Sequence, residues 1–86
     1  MFRREPQPGT HYLELDTPAL ILDLGKLERN IQKMAHFFED KPARLRPHAK
    51  THKCPQIALR QLAAGAVGVT CAKIGEAQVL ADAGVC

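Results

Sequence analysis

The chain has 86 residues, enough for one small domain but too few for most enzymes that enclose a cofactor. Its 45% hydrophobic and 24% charged residues match an ordinary soluble protein and argue against disorder. A net charge of +3 and a pI near 9.0 do not by themselves imply a nucleic-acid or membrane partner.

Residues 1–17 read as an irregular lead-in, and Met1 to Gly9 is polar and proline-rich, unlike a signal peptide. Pro18 to Asp23 is a short apolar run of strand length. Asp23 sits where a helix N-cap belongs. From there Leu24, Leu27, Ile31, Met34, Ala35 and Phe38 recur at helical spacing, and Asp40-Lys41-Pro42 ends the helix. Ala43 to Lys50 alternates as a strand, with Arg44, Arg46, His48 and Lys50 on one face and Leu45, Pro47 and Ala49 on the other. Pro55 opens a second helix that runs to Gly65. Ala66 to Ala72 is nearly all apolar, as buried parallel strands are. A third helix spans about Gly75 to Ala83. The last residues, Ala83-Gly84-Val85-Cys86, begin another apolar strand, which leads us to expect a truncated chain with most of the protein missing.

Alternating strands and helices imply an α/β fold with a parallel sheet, either doubly wound or the start of a (β/α) barrel. Neither Gly-x-Gly-x-x-Gly nor the Gly-x-x-x-x-Gly-Lys-Ser/Thr phosphate loop is present. No apolar run reaches eighteen residues, so no membrane span is expected. Three cysteines (Cys54, Cys71 and Cys86), without a Cys-x-x-Cys pair, argue against a disulfide framework and fit a reducing cytoplasm.

The cationic strand carries the chemistry. Arg44, Arg46, His48 and Lys50 cannot face helices, where they would be buried without partners. Facing a ligand-filled interior, Lys50 stands at the C-terminal end of the strand, where barrels keep catalytic groups. Burial and neighbouring positive charge there favour a neutral amine, the form that Schiff-base chemistry needs. The residues alone leave a solvated edge strand with snorkelling cations equally open.

Arg46-Pro47-His48-Ala49-Lys50-Thr51-His52-Lys53 resembles the Arg-Pro-His-x-Lys-Thr-His-Lys signature of the D-threonine aldolase and D-serine dehydratase family. The flanks agree: Asp16 to Asp23 with Leu27-Glu28-Arg29-Asn30-Ile31 resembles its opening, and Gly65 to Lys73 with Gly75-Glu76-Ala77 its second barrel strand and helix. The resemblance covers residues 16–86 and implies the N-terminal part of a (β/α)8 barrel of the alanine-racemase type, spanning about two βα units. The Pro18 to Asp23 strand would then join a C-terminal β-domain. The resemblance further implies pyridoxal 5'-phosphate (PLP) as a Schiff base on Lys50, with Lys50 also carrying protons. Arg46 and His48 would line the cofactor, and His52 would lie in a loop near its phosphate.

The implied activity is a lyase acting on small β-hydroxy-D-amino acids. Aldol cleavage of the D-threonine type comes first, dehydration of the D-serine type second, and a non-catalytic PLP-binding protein third. A divalent metal (Mn, Mg or Zn) is implied too, with its ligands outside this chain. A homodimer of the whole protein is admitted. An open barrel of this length should be inactive alone. Lys53 and Lys73 are the rival lysines and read better as solvent-facing. His48, His52 and Cys54 do not have zinc-cluster spacing. Glu76 most simply favours its helix start. Nucleic-acid binding through Lys41 to Lys53 lacks an aromatic residue for stacking, and a steep loss of affinity with salt would be its mark.

Overall fold

Helix formation follows the apolar spacing closely. The computed structural model describes residues 5–85; residues 1–4 of the expected lead-in and Cys86 of the expected last strand lie outside them. Residues 5–23 are irregular apart from one 3-10 turn at Tyr12–Glu14. Helix α1 spans Leu24–Phe38, and the Asp23 carboxylate accepts a hydrogen bond from the Lys26 N–H at 3.0 Å. Helix α2 spans Pro55–Ala63, with proline at its start, where a missing N–H costs nothing. Helix α3 spans Ile74–Asp82. Gly65 and Gly84, at φ +118° and +92°, turn the chain after α2 and α3.

The expected strands form only as a fragment. Among the described residues a single parallel bridge joins His48 to Thr70. Ala49 N–H donates to Thr70 O at 2.8 Å, and Thr70 N–H donates to Pro47 O at 2.9 Å. Two features stop the ladder there. Pro47 has no N–H to supply the next rung. A regular step back would then pair Gly68 N–H with Leu45 O, yet the observed donor is Val67, at 3.0 Å. One extra residue therefore bulges out between Val67 and Thr70. The expected strands Ala43 to Lys50 and Ala66 to Ala72 are thus corrected to short extended segments. The run Pro18 to Asp23 also forms no strand among the described residues, and Leu20, Ile21 and Leu22 lie exposed.

Side-chain alternation survives the broken ladder. Leu45 and Pro47 are half-buried and Ala49 is buried, while Arg44, Arg46 and Lys50 are exposed and His48 is half-buried. The odd-numbered side therefore packs toward the helices. The core consists of Ala49, Ala58, Leu80 and Val85, joined by Leu62, Val69 and Cys71. Ala58 and Ala49 keep 0% and 1% of their surface exposed, so α2 lies close against the bridged segment.

Elsewhere the cover is thin. Ile31 is the buried residue of α1, whereas Leu24 and Met34 on its apolar face are half exposed. The chain presents 7253 Å² of accessible surface; a closed protein of its mass would present roughly 5000 Å². The radius of gyration is 15.5 Å, against about 12 Å for a closed domain of this length. No helix among the described residues is long and apolar enough to cross a membrane.

Candidate active site

Lys50 stands on a 3-10 turn, Ala49–Thr51, not on a strand as expected. The cause lies in the residues beside it. His48 Nδ1 accepts a hydrogen bond from the Lys50 N–H at 3.2 Å, diverting that group from any ladder. Thr51 Oγ1 donates to His48 O at 3.3 Å. Lys53 N–H donates to Ala49 O at 2.8 Å, and the His52 N–H also closes on Ala49 O. The turn is thus pinned at both ends while the Lys50 side chain stays exposed. The enclosure expected around its amine is not supplied by residues 5–85.

The chain leaves this turn by a sharp bend. Lys53 adopts φ +49°, a left-handed conformation rare for a residue with a Cβ. His52 closes over the bend: its Nδ1 accepts from the Cys54 N–H at 3.0 Å. With Nδ1 acting as acceptor, the neutral ring carries its proton on Nε2. That nitrogen lies 3.2 Å from Gln61 Oε1 in α2 and donates to it. His52, expected near a cofactor phosphate, spends both ring nitrogens inside the chain. Its ring lines the groove between α1 and α2, beside Ile31, Met34 and Ile57.

Arg46 lies over Gly68. A Cβ built on Gly68 would fall 2.5 Å from one guanidinium nitrogen of Arg46 and 3.2 Å from its Cζ. The glycine therefore makes room for the cation. A lone glycine in an apolar strand pattern signals a bulge or a close approach, so this feature was open to sequence reasoning. Arg46 and Lys50 form no ion pair with any described carboxylate.

The rival lysines fall elsewhere. Lys73 is the exposed N-cap residue of α3. Lys53 is exposed and lines a cavity of about 270 Å³ with Ala49, Gly75, Glu76, Val79 and Leu80. Glu76 sits in the first turn of α3 as expected, yet its Oε1 is buried without a partner among the described residues. Nothing in the sequence pointed to that orphan oxygen. The Cys54 thiol donates to Gln56 Oε1 at 3.3 Å. No group of three or more His, Cys, Asp and Glu that could hold a metal ion gathers among the described residues.

Residues 46–50 therefore offer an exposed amine on a pinned turn, a guanidinium seated on glycine, and the half-buried imidazole of His48. Such a set suits a small aldehyde that carries anionic groups.

The family description "alanine racemase, N-terminal domain" matches residues 22–86. The chain is 49% identical over 79 residues to a D-threonine aldolase of an Arthrobacter species, covering 92% of this chain and 21% of that protein. It is 44% identical over 72 residues to a D-threo-3-hydroxyaspartate dehydratase of a Delftia species, covering 84% and 19%. The crystal structure of D-threonine aldolase from Filomicrobium marinum superposes with a TM-score of 0.82 at 61% identity, covering 86% of this chain and 20% of that one. The chain spans about a fifth of the length of the curated relatives it matches.

Proposed function

Because the chain belongs to the alanine racemase N-terminal domain family, we propose that the whole protein is a PLP-dependent lyase acting on small β-hydroxy-D-amino acids. Aldol cleavage of a D-threonine-type substrate to glycine and an aldehyde is the favoured reaction. The observation that carries this reading is Lys50 itself: an exposed, unpaired amine on a turn held by His48 and Thr51. Its relatives support the substrate class, since those compared are an aldolase and a dehydratase of hydroxy-amino acids.

The residues present fit PLP. Lys50 would hold the cofactor through its aldehyde carbon. Arg46, with no carboxylate partner, would offer positive charge to its anionic groups. His48 uses Nδ1 on its own backbone turn, which would leave its Nε2–H as a donor for a ligand. When bound, PLP would supply an electron sink for breaking a bond at the substrate's α-carbon. Lys50 would also serve within the site as a proton carrier. His52 would act through the loop it holds rather than by touching the cofactor.

On this reading residues 24–85 are the opening units of a (β/α)8 barrel, and Pro18 to Asp23 pairs with a C-terminal β-domain. The partner is a small D-amino acid, the compartment cytoplasmic and the assembly a homodimer. A divalent metal would take its ligands from outside this chain, since no ligand cluster gathers among the described residues. Dehydration is the second reading, favoured by the dehydratase relative.

The test uses the whole protein. Borohydride treatment after PLP loading should fix the label on Lys50, read by peptide mass. Incubation with D-threonine should release glycine and acetaldehyde. A label on Lys53 or Lys73 overturns the Lys50 assignment. A keto acid and ammonia in place of glycine selects dehydration.

A further inference from the structure

The two histidines of the signature repeat one device. In each, Nδ1 accepts the N–H two residues on: His48 from Lys50, at 3.2 Å, and His52 from Cys54, at 3.0 Å. Histidine used in this way closes a ring around the intervening residue, as Asn and Asp do in turns. The first ring encloses Ala49 and fixes the entry to the Lys50 turn. The second encloses Lys53 and fixes its exit, where the backbone takes φ +49°. A left-handed Lys53 costs about 1–2 kcal/mol, so the exit persists only if neighbouring bonds hold it.

His52 does more than close its ring. Its Nε2–H reaches Gln61, in the second half of α2, and ties the bend to the helix body. Lys53 N–H returns to Ala49 O at 2.8 Å. The Gln61 bond thus fixes the His52 tautomer, while the Nδ1 bond to Cys54 holds the Lys53 bend beside the turn that carries Lys50.

We propose that His52 is a positioning residue for Lys50, acting as a staple locked in its Nε2–H tautomer, and that its Nδ1 acceptor is the atom that matters. This deepens the reading of Lys50 as the PLP-bearing residue and rests on it. It assigns His52 no contact with the cofactor.

The two ends of the ring can be tested separately in the whole protein. The Asn amide oxygen of His52→Asn takes the place of Nδ1 and keeps the Cys54 N–H bonded, while Gln61 loses its partner. The longer side chain of His52→Gln reaches Gln61 but leaves the Cys54 N–H unbonded. Two readouts are taken: apparent PLP affinity, from the visible band with the borohydride-fixed label on Lys50, and amide exchange at Cys54. His52→Asn should stay within about twofold of wild type in both. His52→Gln should lose about tenfold in affinity and exchange Cys54 about tenfold faster, the scale of one net hydrogen bond. If the two variants fall equally, or if His52→Gln matches wild type, the Nδ1 staple is overturned. If the wild-type Cys54 amide exchanges freely, the staple is likewise overturned. If wild type binds no PLP, the functional reading fails, and the exchange contrast alone still decides whether His52 is a staple.

Discussion

Lys53 keeps a Cβ in a conformation where glycine is at ease, next to a turn that must hold its shape. Lys53→Gly should relieve about 1–2 kcal/mol of backbone cost and lose about 0.5–1 kcal/mol to unfolded-chain entropy. A small net gain in the urea midpoint of the whole protein is expected, with no change in the slope. Lys53→Val should lower that midpoint, because a branched Cβ tolerates this region worst. This bend was not legible in the sequence, since lysine gives no sign of positive φ. The roles of the histidines were hidden for a related reason: imidazole serves as ligand, catalyst or cap, and spacing does not separate the three.

At the scale of elements, what was legible was periodic. The apolar spacing from Leu24 to Phe38 and the cap at Asp23 are as the sequence reads, and α2 and α3 begin and end within about two residues of their expected bounds. Asp23→Ala should cost about 1 kcal/mol of stability, since it frees the Lys26 N–H at the head of α1; chemical denaturation of the whole protein measures it. The strands were misjudged because alternation reports which way side chains face, not whether rungs can form. Pro47 and the bulge at Gly68 remove the rungs and leave the facing intact. Ala58 shows how tightly the surviving pieces pack: fully buried against Ala49, it leaves no room for a larger side chain. Ala58→Leu should cost about 1–3 kcal/mol through overpacking, read as a lowered thermal midpoint.

Over the whole molecule, these 86 residues leave apolar surface without cover. Leu20, Ile21 and Leu22 stand exposed, and a groove of about 480 Å³ opens between α1 and α2. The ion pair joining those helices, Arg60 to Glu28 at 3.4 Å, is 47% and 44% exposed, so it adds at most a few tenths of a kcal/mol. Expressed alone, the 86-residue chain should bind a hydrophobic dye and elute from a sizing column as associated species; a sharp monomer peak without dye binding would contradict this. Composition argues against disorder, but the openness follows from tertiary arrangement, which composition does not encode.

The seat that Gly68 provides for Arg46 also has a consequence for descent. A methyl group at position 68 would turn the guanidinium of the exposed Arg46 out of its seat, since the three nearest atoms it would meet all belong to that flexible side chain. Across diverging lineages, alanine or serine at position 68 should therefore go with an arginine at position 46 turned outward to solvent, or with its replacement, and an alignment of many sequences would show the pairing as a bias.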